Sequence, residues 1–271
     1  MRGRKKYYLL RFLASLARIV GACVPGWDAP KRVVARLSFV RSVYGPYLLN
    51  TPYDRTFELC VEGYGSFVSD VIRSQDRRFV FLDIGANLGL FSLIADANPY
   101  CDRAIAIEPL SQIFRNLQGN IRRNGARKIE PLLGAITAAT EPTVDLSFSP
   151  RHSGMSKLTR ERSGSISAPA ISAARLNGMI PESPGAIVAK IDVEGSEIDV
   201  LSTLRATHFY GEIEEIIIEV SEANLGIDGR ERLLGMLGQD GFEELSRGGS
   251  PHHYDAHYRR RGAGRTSPSR S

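Results

Sequence analysis

The stretch RFVFLDIGANLGLFSLIADAN, Arg78 to Asn98, constrains the fold of this chain more than any other. Phe79–Leu82 is an unbroken apolar run. A strand of that kind needs cover on both faces, so it belongs inside a parallel sheet with helices on each side. The run ends in Asp83-Ile84-Gly85, a tight turn, and the residues from Leu88 onwards follow helical spacing. The same unit recurs downstream. RAIAIEP is a second strand, stopped by Pro109. SQIFRNLQGNIRRNG is its helix, with Ser111 as the expected N-cap, Ile113, Phe114, Leu117 and Ile121 on one face, and Gly125 at the end. KIEPLLGAI is a third strand and AIVAKID a fourth. SEIDVLSTL is the next helix and EIIIEV a fifth strand. GFEELSR and PHHYDAHYRR read as a closing antiparallel hairpin. Between the third and fourth strands, a Ser-rich insertion from Thr143 to Ser172 breaks the alternation into short strands and loops. The pattern predicts an α/β sheet with right-handed crossovers.

Charge divides the 271 residues into three parts. Residues 1–40 carry nine Lys/Arg against one acid, Asp28, and residues 259–271 carry five Arg and no acid. The body between them is acidic, whereas a nucleic-acid binder carries its basic residues on the folded body, so no nucleic-acid partner is expected. The expected organisation is a basic helical extension over 1–50, one catalytic-sized domain over 51–260, and a disordered basic tail over 261–271. Around Tyr7–Val20, Arg11 and Arg18 interrupt the apolar stretch, which argues against a signal peptide or a membrane span. An amphipathic helix with a basic edge remains. It fits docking on the domain, or peripheral contact with an anionic membrane surface. Cys23, Cys60 and Cys101 share no CxxC spacing, which points to a reducing, cytoplasmic setting and away from a zinc site.

The first strand-to-helix turn carries Gly85, Asn87 and Gly89. Such a turn lets backbone approach a ligand at the carboxyl end of a strand. A dinucleotide fingerprint would place a second glycine where Asn87 stands, which argues against a pyrophosphate and against a nicotinamide oxidoreductase. Glu108 ends the second strand, where an acid can accept both hydroxyls of a ribose. Turn and acid together indicate a nucleoside.

These words, in this order, resemble the FkbM family of S-adenosylmethionine-dependent methyltransferases. The resemblance rests on FLDIGANLGLFSL, AIEP followed by NLQGNIRRN, HSGMSKL, KIDVEGSEIDVL and IIIEV, and spans Tyr53 to Arg260. It implies a Rossmann-like class I sheet of seven strands, the last antiparallel, with helices on both faces. It implies transfer of a methyl group from S-adenosylmethionine to a hydroxyl, on a macrolide or on a sugar of a glycan or glycolipid. By similarity, Asp83, Gly85, Asn87 and Gly89 line the methionine part of the cofactor, and Glu108 holds its ribose.

AIVAKIDVEGSEIDVL then makes chemical sense. In such a sheet the fourth strand ends beside the first, so Asp192 faces the reacting methyl. Methyl transfer to a hydroxyl releases a proton, which a carboxylate at this strand end can take. Asp192, Glu194 and Glu219 are the candidates, with Lys190 as an ion-pair partner. Glu197 and Asp199 are helix-start acids that favour the dipole. A Mg²⁺ ion held by the carboxylates is a second reading. His152 and Ser153 could reach a substrate from the insertion, while His252, His253 and His257 have strand spacing without evident metal partners. A non-catalytic adaptor that binds the cofactor is the remaining alternative. The expected substrate is a small or lipid-linked glycan met at the inner face of a membrane.

Overall fold

The computed structural model describes residues 38–51, 54–149, 151–159, 165–182 and 185–263. The basic N-terminal stretch and nearly all of the tail therefore lie outside the described residues. A short antiparallel hairpin, β1 (Phe39–Arg41) and β2 (Tyr47–Leu49), precedes two helices, α1 (Arg55–Glu62) and α2 (Ser66–Arg73). The repeating units follow: β3 (Phe79–Ile84), α3 (Leu90–Asp96), β4 (Cys101–Glu108), α4 (Ser111–Asn124) and β5 (Ile129–Leu133). Three short strands come next: β6 (Ala135–Ile136), β7 (Thr143–Leu146) and β8 (Ile166–Ile171). The chain then runs through α5 (Ala173–Asn177), β9 (Ile187–Ile191), α6 (Glu197–Arg205), β10 (Ile213–Ser221), α7 (Glu222–Gln239), β11 (Phe242–Ser250) and β12 (His253–Arg260).

Seven strands form the main sheet in the order β5-β4-β3-β9-β10-β12-β11. Neighbours from β5 to β10 are parallel, and β12 runs antiparallel to both β10 and β11. This is the expected Rossmann-like class I methyltransferase sheet. Its two faces follow from alternation within strands. Val80, Leu82 and Ile84 of β3 join one core with α6 and α7 residues such as Leu201, Leu204 and Leu237. Phe79 and Phe81 point the other way and join a second core with Ile72, Leu93 and Leu117 from α2, α3 and α4.

Two local expectations need correction. KIEPLLGAI is not one strand. It divides at Gly134, so that β5 edges the main sheet while β6 joins β8 and β7 in a separate three-stranded sheet. Pro131 sits in β5, an edge strand, where a missing N–H costs no ladder bond. Ser111 is the first residue of α4 rather than its cap. Leu110 takes the cap position without a side-chain bond, and Glu108 Oε1 accepts the Leu110 N–H at 2.9 Å. Gly125 ends α4 in a left-handed conformation, as expected.

Candidate active site

Strand order reverses between β4 and β9 on either side of β3, and an open sheet of this kind receives its ligand outside the carboxyl ends at that point. A cavity lies there, bordered by Gly85, Asn87 and Glu108 on one side and by Lys190, Asp192, Glu194 and Glu219 on the other. The β3–α3 turn is pressed against the end of β9. Asp192 N donates to Ile84 O at 3.1 Å, and a Cβ built on Gly85 (φ +79°) would lie 1.9 Å from Asp192 O. Only glycine fits this contact. Asn87 also has positive φ, 49°, a conformation that asparagine tolerates.

Glu108 is buried and faces the turn. Its Oε2 accepts the Asn87 N–H at 3.0 Å, while Oε1 takes Leu110 N–H. Each oxygen keeps a further lone pair for a ligand hydroxyl. Burial pushes its carboxyl up to about 7, against the two backbone N–H groups, which favour the anion.

Asp83 and Gly89 lie elsewhere. Asp83 is fully buried behind the turn, where Oδ2 accepts Ser92 N–H at 3.1 Å and Ser92 O–H at 2.5 Å. Gly89 caps α3 beside Leu117. Neither borders the cavity. Both shape the turn that does.

Lys190 ties these parts together. Its buried Nζ donates to Gly85 O at 2.8 Å and stands 3.2 Å from Asp192 Oδ2 and 3.6 Å from Asp83 Oδ1. Burial disfavours the ammonium, but Asp192 and Asp83 outweigh it and hold its pKa above the ordinary lysine value. The expected lysine–carboxylate pair is therefore present, and it includes Asp83 as well as Asp192.

Asp192, Glu194 and Glu219 converge, with carboxylate oxygens all within 4.8 Å of one another. Glu194 adopts positive φ, 54°, an uncommon conformation for a residue with a side chain. Its Oε2 accepts from Asn224 Nδ2 at 2.8 Å. Burial and then Asp192 push its carboxyl up to about 7. Glu219 is also pushed up, by burial first and then by Asp192, Glu194 and Asp255. Glu197 starts α6, but it is buried, and its Oε1 accepts the Gly195 N–H at 3.0 Å. It thus shapes the β9–α6 turn as well as meeting the helix dipole.

The insertion closes over the turn. Ser153 donates to Asp54 Oδ2 at 2.7 Å, and Asn87 Nδ2 donates to Ser153 Oγ at 3.3 Å. Asp54 also caps α1. His152 and Ser153 both border the cavity. Tyr64 and Phe91 line it as well, and sequence reasoning missed both. Tyr64 stands between two glycines of positive φ, Gly63 and Gly65; those glycines were the available signal. The three histidines meet carboxylates after all. His252 contacts Glu222 at 3.0 Å, His253 contacts Glu219 at 2.8 Å, and His257 contacts Glu215 at 2.7 Å.

A family model described as the methyltransferase FkbM domain matches residues 83–245. No curated protein matches the chain. Among solved structures, Trm5b from Pyrococcus abyssi is 14% identical over 83% of this chain, with a TM-score of 0.45, and the match covers 56% of that protein. TYW2 from M. jannaschii, solved in complex with AdoMet, is 12% identical, with 83% of this chain and 88% of that one covered and a TM-score of 0.43. TrmK from M. capricolum, solved with S-adenosyl-homocysteine, is 11% identical over 72% of this chain and 68% of that one, at a TM-score of 0.43. The chain thus spans little more than half the length of the first of these.

Proposed function

Because the chain belongs to the FkbM methyltransferase family, whose methyl donor is S-adenosylmethionine, we propose that it methylates a hydroxyl of a sugar in a glycan, glycolipid or polysaccharide precursor. The observation that carries this reading is the meeting of Glu108 and the Asp192, Glu194 and Glu219 carboxylates in one cavity at the strand ends. When bound, the donor supplies an electrophilic methyl on a positively charged sulfur. Glu108 is the group for its ribose hydroxyls. Gly85 and Asn87 bring backbone close to its amino-acid end, and Asp83 and Gly89 hold that turn in shape. The three carboxylates accept hydrogen bonds from acceptor hydroxyls, and one of them takes the proton that leaves. Tyr64 and Phe91 offer aromatic surface to the apolar C–H face of a sugar ring.

Proton handling is a better reading of the cluster than a divalent cation. Each carboxylate already has an organic partner: Lys190, Asn224 or His253. A buried ammonium 3.2 Å from one carboxylate suits an anion and repels a dication. Asn87 in place of a close-approach glycine speaks against the oxidoreductase alternative. The convergence of Asp192, Glu194 and Glu219 inside the cavity speaks against a mere adaptor. A peripheral membrane location is part of the proposal. Among the described residues, no helix is long and apolar enough to cross a membrane.

The test incubates the full chain with methyl-labelled S-adenosylmethionine and a panel of methyl glycosides, nucleotide sugars and lipid-linked sugars. Mass spectrometry should find a gain of one methylene on a sugar hydroxyl. Methylation confined to nitrogen acceptors, or no transfer on any panel member, would overturn the substrate class. Failure to bind the donor in calorimetry would overturn the activity itself.

A further inference from the structure

The cluster holds three carboxylates, and their environments differ. Asp192 Oδ2 is engaged by Lys190, and Glu194 Oε2 by Asn224. Glu219 Oε2 is buried and has no hydrogen-bond partner among the described residues. Its other oxygen, Oε1, lies 2.8 Å from His253 Nε2. The two residues sit on adjacent antiparallel strands. Glu219 of β10 lies opposite Asp255 of β12, and His253 lies opposite Ser221, so their contact is a diagonal across the ladder. The glutamate side chain is 5% exposed and the histidine side chain 56%. One end of the pair therefore borders the cavity and the other meets solvent.

We propose that His253 is a positioning residue for Glu219, holding Oε1 from the solvent side so that Oε2 receives the proton of the acceptor hydroxyl. This rests on the methyl-transfer reading above. In the step, the acceptor oxygen forms its bond to the methyl carbon, the carbon–sulfur bond breaks with its electron pair going to sulfur, and the hydroxyl proton passes to Glu219 Oε2. The proton leaves the carboxyl after the products depart. Glu219 needs such a partner because of what surrounds it. Asp192, Glu194, Glu197 and Asp255 all oppose its ionisation. Tyr64 also feels its charge, and the Lys190 ammonium is turned to Gly85, Asp83 and Asp192. A histidine open to water can take up a proton, and the imidazolium then offsets the surrounding anions. An orphaned buried oxygen is costly in a core. In a site it is an acceptor held ready.

Two measurements on the full chain test this. In the first, the His253 ring nitrogens are observed by NMR, their signals assigned by loss in His253→Gln. Glu219→Gln replaces the oxygen that Nε2 meets at 2.8 Å and should move the Nε2 signal while leaving that of His252 in place. An Nε2 signal unmoved by that substitution overturns the pair, whether or not any acceptor is found. In the second, a sugar from the panel above is used with His253→Ala and His253→Gln. The alanine variant should lose at least tenfold in kcat, with the donor KM within about twofold, and the acid limb of its pH profile should move to higher pH. Added imidazole should restore part of the rate. His253→Gln keeps a hydrogen-bond donor and should fall between. A uniform loss with an unmoved pH profile, or no loss, overturns the positioning role. If the panel yields no product, the sugar reading fails while the NMR comparison still decides the pair.

Discussion

Gly85→Ala tests the contact on which the whole site depends. Gly85 has φ +79°, and a Cβ there would sit 1.9 Å from the backbone oxygen of Asp192. Two costs add. A left-handed conformation costs a residue with a side chain about 1–2 kcal/mol, and forcing an atom into a packed place costs about 1–3 kcal/mol more. Gly125→Ala is the control. Gly125 also has positive φ, +64°, but no atom of the described residues lies within 4 Å of its Cβ position, so it should show the first cost alone. Thermal or urea unfolding of both variants separates the terms. A domain of this size loses roughly 2–4 °C of Tm per kcal/mol. Gly85→Ala should therefore melt below Gly125→Ala by about 2–12 °C. It should also lose affinity for S-adenosylmethionine, because the displaced strand end carries the Lys190–Gly85 and Lys190–Asp192 contacts. Equal melting of the two variants would refute the reasoning, since the turn would then accept a methyl group at no extra cost.

Glu108→Ala should weaken donor binding about tenfold or more in calorimetry, the worth of hydrogen bonds to a charged group. Glu108→Gln, which keeps an acceptor for only one of the Asn87 and Leu110 N–H groups, should lose less donor affinity than the alanine variant. Asp192→Asn should lower turnover by less than Glu219→Gln, because Asp192 is engaged by Lys190; the reverse ranking in single-turnover assays would return the proton to Asp192. Stability without ligand should fall as pH rises from about 5 to about 7. Burial raises Glu108 and Glu194 to about 7 in the folded chain, so the unfolded chain gives up its protons first and gains from each step upward. Urea midpoints at pH 5.5 and pH 7.5 check the sign. Full-length protein should co-sediment with anionic vesicles in a salt-sensitive way, and a chain lacking residues 1–21 should not.

Much of this site is legible in the sequence because its signals are local. The apolar run before Gly85 reports a strand covered on both faces, and Glu108 follows at the end of the next strand. Lys190 stands two residues from Asp192, so their pairing is also within reach. What the sequence hides depends on register. Glu219 and His253 lie 34 residues apart, and only the antiparallel ladder between β10 and β12 makes them neighbours. Asp83 is hidden for another reason. Alternation along β3 turns it toward α3, where Ser92 receives it, and adjacency to Gly85 gives no hint of that direction. Ser111 misleads because a good cap residue stands where a cap is needed, while Glu108 reaches the Leu110 N–H from the preceding strand. The break at Gly134 escapes a reading by hydrophobicity, since both halves of the run are apolar and only their sheets differ.

The charge state of the cavity binds these parts into one chemical device. Burial holds Glu108, Glu194 and Asp255 near pH 7, far above the carboxylate range, and raises Glu219 as well. With no added positive charge, these carboxyls keep protons that an exposed glutamate would lose. A positive charge in the cavity lowers all of them together. Under the proposed function a cationic methyl donor supplies that charge, and the carboxyls beside it then become competent to take a proton. Lys190 cannot supply that charge to Glu219, because its ammonium faces Gly85, Asp83 and Asp192. It occupies Asp192 beside the turn and leaves the ionisation of the others to respond to the ligand and to His253.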